Sequence, residues 1–160
     1  MRKVFLAAIL TVASITTTAA DHLTIESVTA AIFDMKSESI KKDQTGALKY
    51  YFDGTKFYEY FYRNGAEKVT TSNFEEVLKN FKKSALRNNY ELLSKDILRL
   101  EVKLIQNSSR AEVFIESRNF YVFHDAHYSN VRQSSYIFGL HDEQLVVLEL
   151  HGRTLANIHN

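Results

Sequence analysis

Cysteine, proline and tryptophan are all absent from this chain of 160 residues. Without cysteine there can be no disulfide bond, no thiol nucleophile, no thiolate metal ligand and no lipid-modified cysteine of a bacterial lipoprotein. A domain without disulfides must draw its stability from its hydrophobic core, and a chain of this length can build one. Because no proline, repeat or low-complexity tract marks a linker, the sequence predicts a single domain.

An excess of either sign of charge is also missing. The chain has 20 basic and 19 acidic residues, which gives a net charge of +1. Without Arg2 and Lys3, at the extreme N-terminus, the balance becomes 18 basic against 19 acidic residues, or −1. A surface this close to neutral gives no electrostatic reason to expect nucleic acid or an anionic membrane as a partner.

Long apolar runs are the third feature that the chain lacks. The apolar segment from Val4 to Val12 is far shorter than the ~20 residues that a membrane-spanning helix needs. It follows two basic residues and leads into small residues that end at Ala20, an order that is typical of a secretory signal peptide. We therefore predict a signal peptide over residues 1–20, a mature domain over residues 21–160, no membrane span after cleavage, and export to the periplasm or the medium.

The first segment of the predicted mature chain has the pattern of an amphipathic helix. Ile25, Val28, Ile32 and Met35 recur at helical spacing and form one apolar stripe. Thr24 is a suitable N-cap, because its hydroxyl can accept a hydrogen bond from a free amide of the first turn. The segment "GALKYYF" then predicts a short second helix.

Two local signals mark a hairpin and a third helix. Asn64-Gly65 is the strongest short hairpin signal in the chain, since both residues tolerate the positive φ of a type I′ turn. The segment "SNFEEVLKNFKKSALRNN" opens with Ser72 and Glu75 at the spacing of a capping box. Its apolar residues then repeat at helical intervals, which predicts a helix.

The second half of the chain alternates apolar and polar residues, as β-strands do. In "ILRLEVKLI", Leu98, Leu100, Val102 and Leu104 share one face. A turn centred on residues 107–108 would join this strand to the next in a register that pairs apolar residues on one face and opposite charges on the other. The predicted pairs are Leu104 with Ala111, Val102 with Val113, Leu100 with Ile115, Lys103 with Glu112, and Arg99 with Glu116.

The order of helix, short helix, hairpin, helix and long antiparallel meander is an α+β pattern with the helices on one face of a sheet. This order, together with the closing strands "SSYIFGLHDEQLVVLEL", resembles the nuclear-transport-factor-2-like superfamily, also called cystatin-like or cone-shaped α+β folds. The resemblance covers residues 21–160 and involves no motif. It implies N-terminal helices packed on a strongly curved antiparallel sheet, a conical pocket, and a homodimer formed through the sheet.

Aromatic residues are concentrated between Tyr50 and Tyr62. Tyrosine suits positions where one end of the ring is buried and the other reaches water or a partner. Strand alternation would place Phe57 and Phe61 in the core and the intervening tyrosines on the other face. We therefore expect a ligand pocket or a protein interface here, with these candidate residues: Tyr51, Phe52, Asp53, Tyr58, Tyr60 and Tyr62.

A second candidate site lies on the last two strands. If residues 142–143 form the turn, Tyr136 opposes Glu149 and Ser134 opposes His151. Glu149 could then abstract a proton next to a carbonyl group while Tyr136 stabilises the oxyanion. The alternative is that these residues lie on the solvent face of a half-buried sheet, where they form cross-strand hydrogen bonds and take part in no reaction.

"HDAHY" places His124, Asp125 and His127 close together in the sequence. A zinc site needs three or four protein ligands in fixed geometry, and nothing in the sequence shows that further ligands converge on this segment. We therefore expect no metal and no cofactor.

These observations favour a non-catalytic exported domain that binds a partner protein or a small apolar ligand through a tyrosine-rich pocket or sheet face. The first alternative is a small pocket enzyme of the isomerase, dehydratase or hydrolase type that uses Glu149 with Tyr136 or His151. The second is an adaptor for assembly in the cell envelope. The superfamily contains members of all these kinds, so the resemblance does not choose between them.

Overall fold

Two helices and a six-stranded sheet form the domain, as a computed structural model of the chain shows. The structure describes residues 22–41, 45–85 and 90–159, so the predicted signal peptide at residues 1–20 lies outside the described residues. Neither described α-helix has the length and apolar character needed to cross a membrane. The elements are α1 (Ile25–Ser39), a 3-10 helix (Thr45–Tyr50), β1 (Lys56–Arg63), β2 (Ala66–Asn73), α2 (Phe74–Ala85), β3 (Tyr90–Ile105), β4 (Arg110–Phe123), β5 (Ala126–His141) and β6 (Gln144–His159).

The strands lie in the order β2-β1-β6-β5-β4-β3. β1 runs parallel to β6, while every other neighbouring pair is antiparallel, so the sheet is mixed where a wholly antiparallel one was expected. The predicted α+β class, with helices packed on one face of a curled sheet, is confirmed. We call the face that carries α1 the inner face and the opposite face the outer face.

α1 begins as the sequence predicts. The Thr24 hydroxyl accepts a hydrogen bond from the Ser27 amide at 3.0 Å. Leu23, just before the cap, is buried in the same core cluster as Val28, which fixes the entry of the chain as a hydrophobic staple does. Ile25 is 49% exposed, contrary to prediction, because Leu23 takes the buried position at this end of the stripe.

The sequence predicts the position of the β1–β2 turn correctly and the start of α2 one residue too early. Asn64 and Gly65 have φ of 56° and 73°, so the predicted hairpin turn between β1 and β2 is confirmed. The capping box of α2 lies one residue later than predicted, with Asn73 and Glu76 in place of Ser72 and Glu75. The reason is that β2 continues to Asn73, which pairs with Lys56.

All five predicted pairs between β3 and β4 are present. The turn is longer than expected and spans residues 106–109, but it is centred at the same point. Leu98 does not share the inner face. A register shift between Ile97 and Arg99 leaves it 48% exposed.

The predicted register between β5 and β6 is correct next to the turn and wrong beyond it. Phe138 pairs with Val147, as a turn centred on residues 142–143 requires. A bulge at Leu148 then shifts the pairing by one residue, so that Tyr136 pairs with Leu150. Tyr136 and Glu149 therefore lie on opposite faces, because successive side chains of a strand alternate between faces.

The core lies between α1 and the inner face of β4, β5 and β6, with Phe138 and Val147 fully buried at its centre. Thr55 is the buried polar residue that fixes the start of β1. Its hydroxyl donates to the Val147 carbonyl at 2.7 Å and accepts from the Phe52 amide at 3.1 Å. Thr55 therefore ties the segment before β1 to the central strand β6.

We expect Thr55→Val to lower the free energy of unfolding by about 2 kcal/mol, because it leaves a buried carbonyl and an amide without their partner at nearly constant volume. Urea unfolding monitored by circular dichroism measures the change. Thr71→Val, at an exposed position of β2, is the matched control and should be close to neutral. Equal unfolding free energies for the two variants would contradict the role given to Thr55.

Candidate functional site

An ion pair crosses the inner face. Arg132 on β5 donates to both carboxylate oxygens of Glu59 on β1, through Nη1 at 2.7 Å and Nη2 at 2.5 Å. Thr154 on β6 accepts a further hydrogen bond from Nη1 at 3.4 Å. Burial acts to lower the pKa of Arg132, but the hydrogen bond and charge of Glu59 outweigh it and raise that pKa. The pair is therefore charged, bidentate and oriented.

Gly152 makes this pair possible. β6 lies between β5 and β1, and Gly152 is the β6 residue that pairs with both Glu59 and Ser134. A Cβ atom at Gly152 would lie 1.9 Å from Nη2 of Arg132, so only glycine lets the guanidinium pass over the strand. Our reading of the sequence missed both Arg132 and Glu59. A glycine inside the strand pattern "QLVVLELHG" was the available signal that something approaches the backbone closely.

A cavity of about 180 Å³ opens beside the ion pair, between α2, β2 and β1. Apolar side chains, two hydroxyl groups and the ion pair form its wall, which is the usual composition of a small-molecule site. The residues that line it are Phe57, Tyr58, Glu59, Thr70, Ser72, Val77, Arg132 and Leu150.

Two tyrosines, the half-buried Tyr51 and the buried Tyr136, lie within electrostatic range of Arg132. Burial raises the pKa of Tyr51 well above its usual value. Burial also raises the pKa of Tyr136, against a smaller opposing effect of Arg132. Both phenols therefore stay neutral at physiological pH. The Tyr51 ring lies 5.4 Å from the ring of Phe57, which lines the cavity.

Lys95 on β3 is a half-buried lysine on the inner face, within electrostatic range of the ion pair. It pairs across the strands with Asn119, in the row next to the one that holds Arg132. Burial lowers the pKa of Lys95 to about 8, and the positive charges of Arg132 and Lys36 add to this effect. The inner face thus carries more positive than negative charge at this point.

Three of the predicted ligand residues lie on the outer face. Tyr58, Tyr60 and Tyr62 share that face, as strand alternation predicted, and Tyr62 is 70% exposed. His151 stacks on Tyr58 with ring centroids 4.5 Å apart, and its Nδ1 lies 3.2 Å from the Tyr60 hydroxyl. These side chains form an aromatic cluster on the outer face, and Tyr58 is also one of the residues that line the cavity.

The other predicted ligand residues are separated from one another. Tyr51 is half-buried near the cavity, whereas Phe52 stacks on His141 at 4.4 Å and Asp53 is exposed in a turn. Phe57 lines the cavity as a core residue would. Phe61, predicted to be in the core, is 36% exposed because it lies nearer the end of the strand.

The predicted catalytic residues do not form one group. Glu149 and His151 lie on the outer face, where Glu149 Oε2 is 3.4 Å from His151 Nε2. Tyr136 is buried on the inner face, so the predicted contact between Tyr136 and Glu149 is wrong. Across the described ranges of the chain, no group of three or more possible ligands could hold a metal ion.

We expect Gly152→Ala to break the ion pair and to lower the free energy of unfolding by about 1–3 kcal/mol, since the new methyl group overlaps the guanidinium. Chemical denaturation gives the stability, and the NMR signal of the Arg132 side chain reports the loss of its partner. The control is the same change in an Arg132→Ala background, where the overlap is absent and the cost should be much smaller. Equal costs in both backgrounds would show that Gly152 does not serve Arg132.

Comparison with known proteins gives matches in structure but not in sequence. No protein-family model matches the chain, and no curated protein sequence matches it. A putative scytalone dehydratase from Novosphingobium aromaticivorans superposes with a TM-score of 0.65 at 9% identity, over 84% of this chain and 86% of that one. The hexachlorocyclohexane dehydrochlorinase LinA type 3 from Novosphingobium barchaimii gives 0.62 at 12% identity, over 84% and 91%.

A third structure of this kind is an NTF2-like protein of unknown function in nutrient uptake from Rhodospirillum rubrum. It superposes with a TM-score of 0.60 at 11% identity and covers 81% of this chain and 98% of that one. At such low identity the likeness establishes the fold and leaves the function open. The expectation drawn from the order of elements is confirmed: the chain has the nuclear-transport-factor-2-like fold.

Proposed function

We propose that this domain binds, without chemical conversion, a small molecule whose apolar part occupies the inner-face cavity. The observation that carries the proposal is the Arg132–Glu59 pair in the wall of a cavity whose other lining residues include the apolar Phe57, Val77 and Leu150. Such a wall can take up an apolar group and orient one polar group of the ligand.

Binding without catalysis has more support than the enzymatic alternative. The putative dehydratase and the dehydrochlorinase named above are 9% and 12% identical to this chain. A shared fold at such low identity does not imply a shared activity. The constellation that suggested proton abstraction here is divided between two faces of the sheet, with Tyr136 on one and Glu149 on the other. Within the cavity, the one carboxylate, Glu59, is bonded to Arg132.

We expect the neutral probe 4-phenylbutyramide to bind saturably and to shift the NMR signals of the Val77 and Leu150 methyl groups. Val77→Trp should abolish this binding, because the indole fills the cavity. Phe33→Trp is the matched control, since Phe33 is 50% exposed on α1 and does not line the cavity, and it should bind the probe as the wild type does. Unchanged binding by Val77→Trp would refute the cavity as the site.

We also propose that the domain is exported and forms a homodimer through the outer face. The basic, apolar and small segments of residues 1–20 support export. Tyr62 and Val69 support the dimer, because they expose apolar surface next to the cluster of Tyr58, Tyr60 and His151.

Native mass spectrometry of the protein recovered from the exported fraction tests both statements. We expect a dimer of chains that begin at Asp21. Tyr62→Ser combined with Val69→Ser should give a monomer, while Phe33→Ser, which removes an exposed ring from α1, should leave the dimer intact. A wild-type monomer would contradict the homodimer and favour the outer face as a surface for a cell-envelope partner protein. A chain that retains residues 1–20 would contradict export by cleavage.

A further inference from the structure

The ion pair in the cavity wall has hydrogen-bond donors that the protein itself does not use. Arg132 donates two hydrogen bonds to Glu59 and one to Thr154, which occupies three of the five N–H groups of a guanidinium. Among the described residues, no group accepts a hydrogen bond from the other two, which are on Nε and Nη2. The Arg132 side chain is 27% exposed and lines the cavity, so these N–H groups are available to a ligand.

Glu59 supplies the complementary acceptors. An ionised carboxylate has about four acceptor positions, and Arg132 occupies two of those on Glu59. The Glu59 side chain is 42% exposed and also lines the cavity. The polar part of the wall therefore presents N–H donors and carboxylate acceptors side by side, and a ligand group that accepts and donates at once can bond to both.

The polar part of the wall has no net charge. Among the described residues that line the cavity, Arg132 is the one cation and Glu59 the one anion. A carboxylate that accepted from Arg132 would lie next to the carboxylate of Glu59, and an ammonium group that donated to Glu59 would lie next to the guanidinium. Either charged group would lose water on entry, and no net opposite charge in the wall would compensate it.

Two further cations of the domain lie away from the cavity wall. Lys95 is on β3, two strands beyond Arg132 and at the opposite end of the sheet from β1 and β2. Lys36 is on α1, and neither lysine lines the cavity. Because charge interactions weaken with distance and are screened by solvent, the ion pair is the charge distribution that a bound ligand meets directly.

We propose that the Arg132–Glu59 pair selects an uncharged ligand whose polar end both accepts and donates a hydrogen bond, as a carboxamide or an alcohol does. Arg132 donates to this end and excludes amines, while Glu59 accepts from it and excludes carboxylic acids. This inference rests on the proposed function, because the apolar part of the ligand occupies the same cavity. It adds the chemical class of the ligand and the two residues that determine it.

Isothermal titration at pH 7 with three probes of similar length tests the proposal. 4-Phenylbutyramide is uncharged, 4-phenylbutyrate is an anion and 4-phenylbutylamine is a cation. The amide should bind the wild type at least about tenfold more tightly than either charged probe, which is the effect of one hydrogen bond to a charged group.

Two variants should change the preference in opposite directions. Glu59→Gln removes the negative charge and keeps a side chain of similar shape that can still accept from Arg132. It should bind 4-phenylbutyrate at least about tenfold more tightly than the wild type does, because the charge of Arg132 is no longer compensated. Arg132→Gln should give the same gain for 4-phenylbutylamine, since it leaves the charge of Glu59. A gain of binding in each variant also shows that the variant is folded.

Glu67→Gln is the matched control. Glu67 on β2 pairs with Tyr62 of the outer face and forms an ion pair with Arg153. Its side chain is 41% exposed, close to the value for Glu59, but it does not line the cavity. This variant should prefer the amide as the wild type does. An equal gain in acid binding by Glu67→Gln and Glu59→Gln would mean that the total charge of the protein sets the preference, and would overturn the proposal.

The remaining outcomes separate this inference from the proposed function. Equal or tighter binding of a charged probe by the wild type overturns the selection and leaves the cavity as the binding site. Unchanged acid binding by a folded Glu59→Gln variant overturns the role of Glu59. If no probe binds, or if binding of the amide is unaffected by Val77→Trp, the proposed function is refuted and this inference with it.

Discussion

The bidentate pair between Arg132 and Glu59 is the interaction on which the inner face depends. A half-buried guanidinium is stable only with a compensating carboxylate, and removal of one partner leaves the other uncompensated. The pair joins β5 to β1 across β6, and so requires a strand between them that has no side chain at Gly152. The same pair supplies the polar part of the cavity wall. The Arg132–Glu59 pair therefore depends on the order of the strands and on Gly152, and it supplies the polar groups of the site.

Alternation along β1 gives the two faces of the sheet different chemistry. Phe57 and Glu59 point inward and contribute an apolar surface and a carboxylate to the cavity. Tyr58 and Tyr60 point outward and pack around His151, where rings with a polar end can meet water or another protein. The aromatic run between residues 57 and 62 thus serves two surfaces, which explains why it mixes phenylalanine, tyrosine and a single acid.

Stability and binding make opposite demands on the inner face. The core around Phe138 and Val147 is apolar and fully buried, and it holds α1 against the sheet. A few residues away, Lys95 is half-buried and the Oδ1 atom of Asn119 is buried without a hydrogen-bond partner. A buried polar atom without a partner lowers stability. The rigid core is what allows the domain to hold such groups in place.

The sequence by itself determined the features that depend on neighbouring residues: the cap at Thr24, the turn at Asn64-Gly65, and the register of β3 with β4, which a turn and two faces of paired side chains specify together. Only the tertiary structure decided the site. The bulge at Leu148 places Tyr136 and Glu149 on opposite faces of the sheet, and no local sequence pattern predicts this bulge. Arg132 and Glu59 are 73 residues apart, and whether they meet depends on β1 lying beside β6. Local rules act over a few residues, whereas a site assembled from four strands depends on how the whole sheet is ordered and bent.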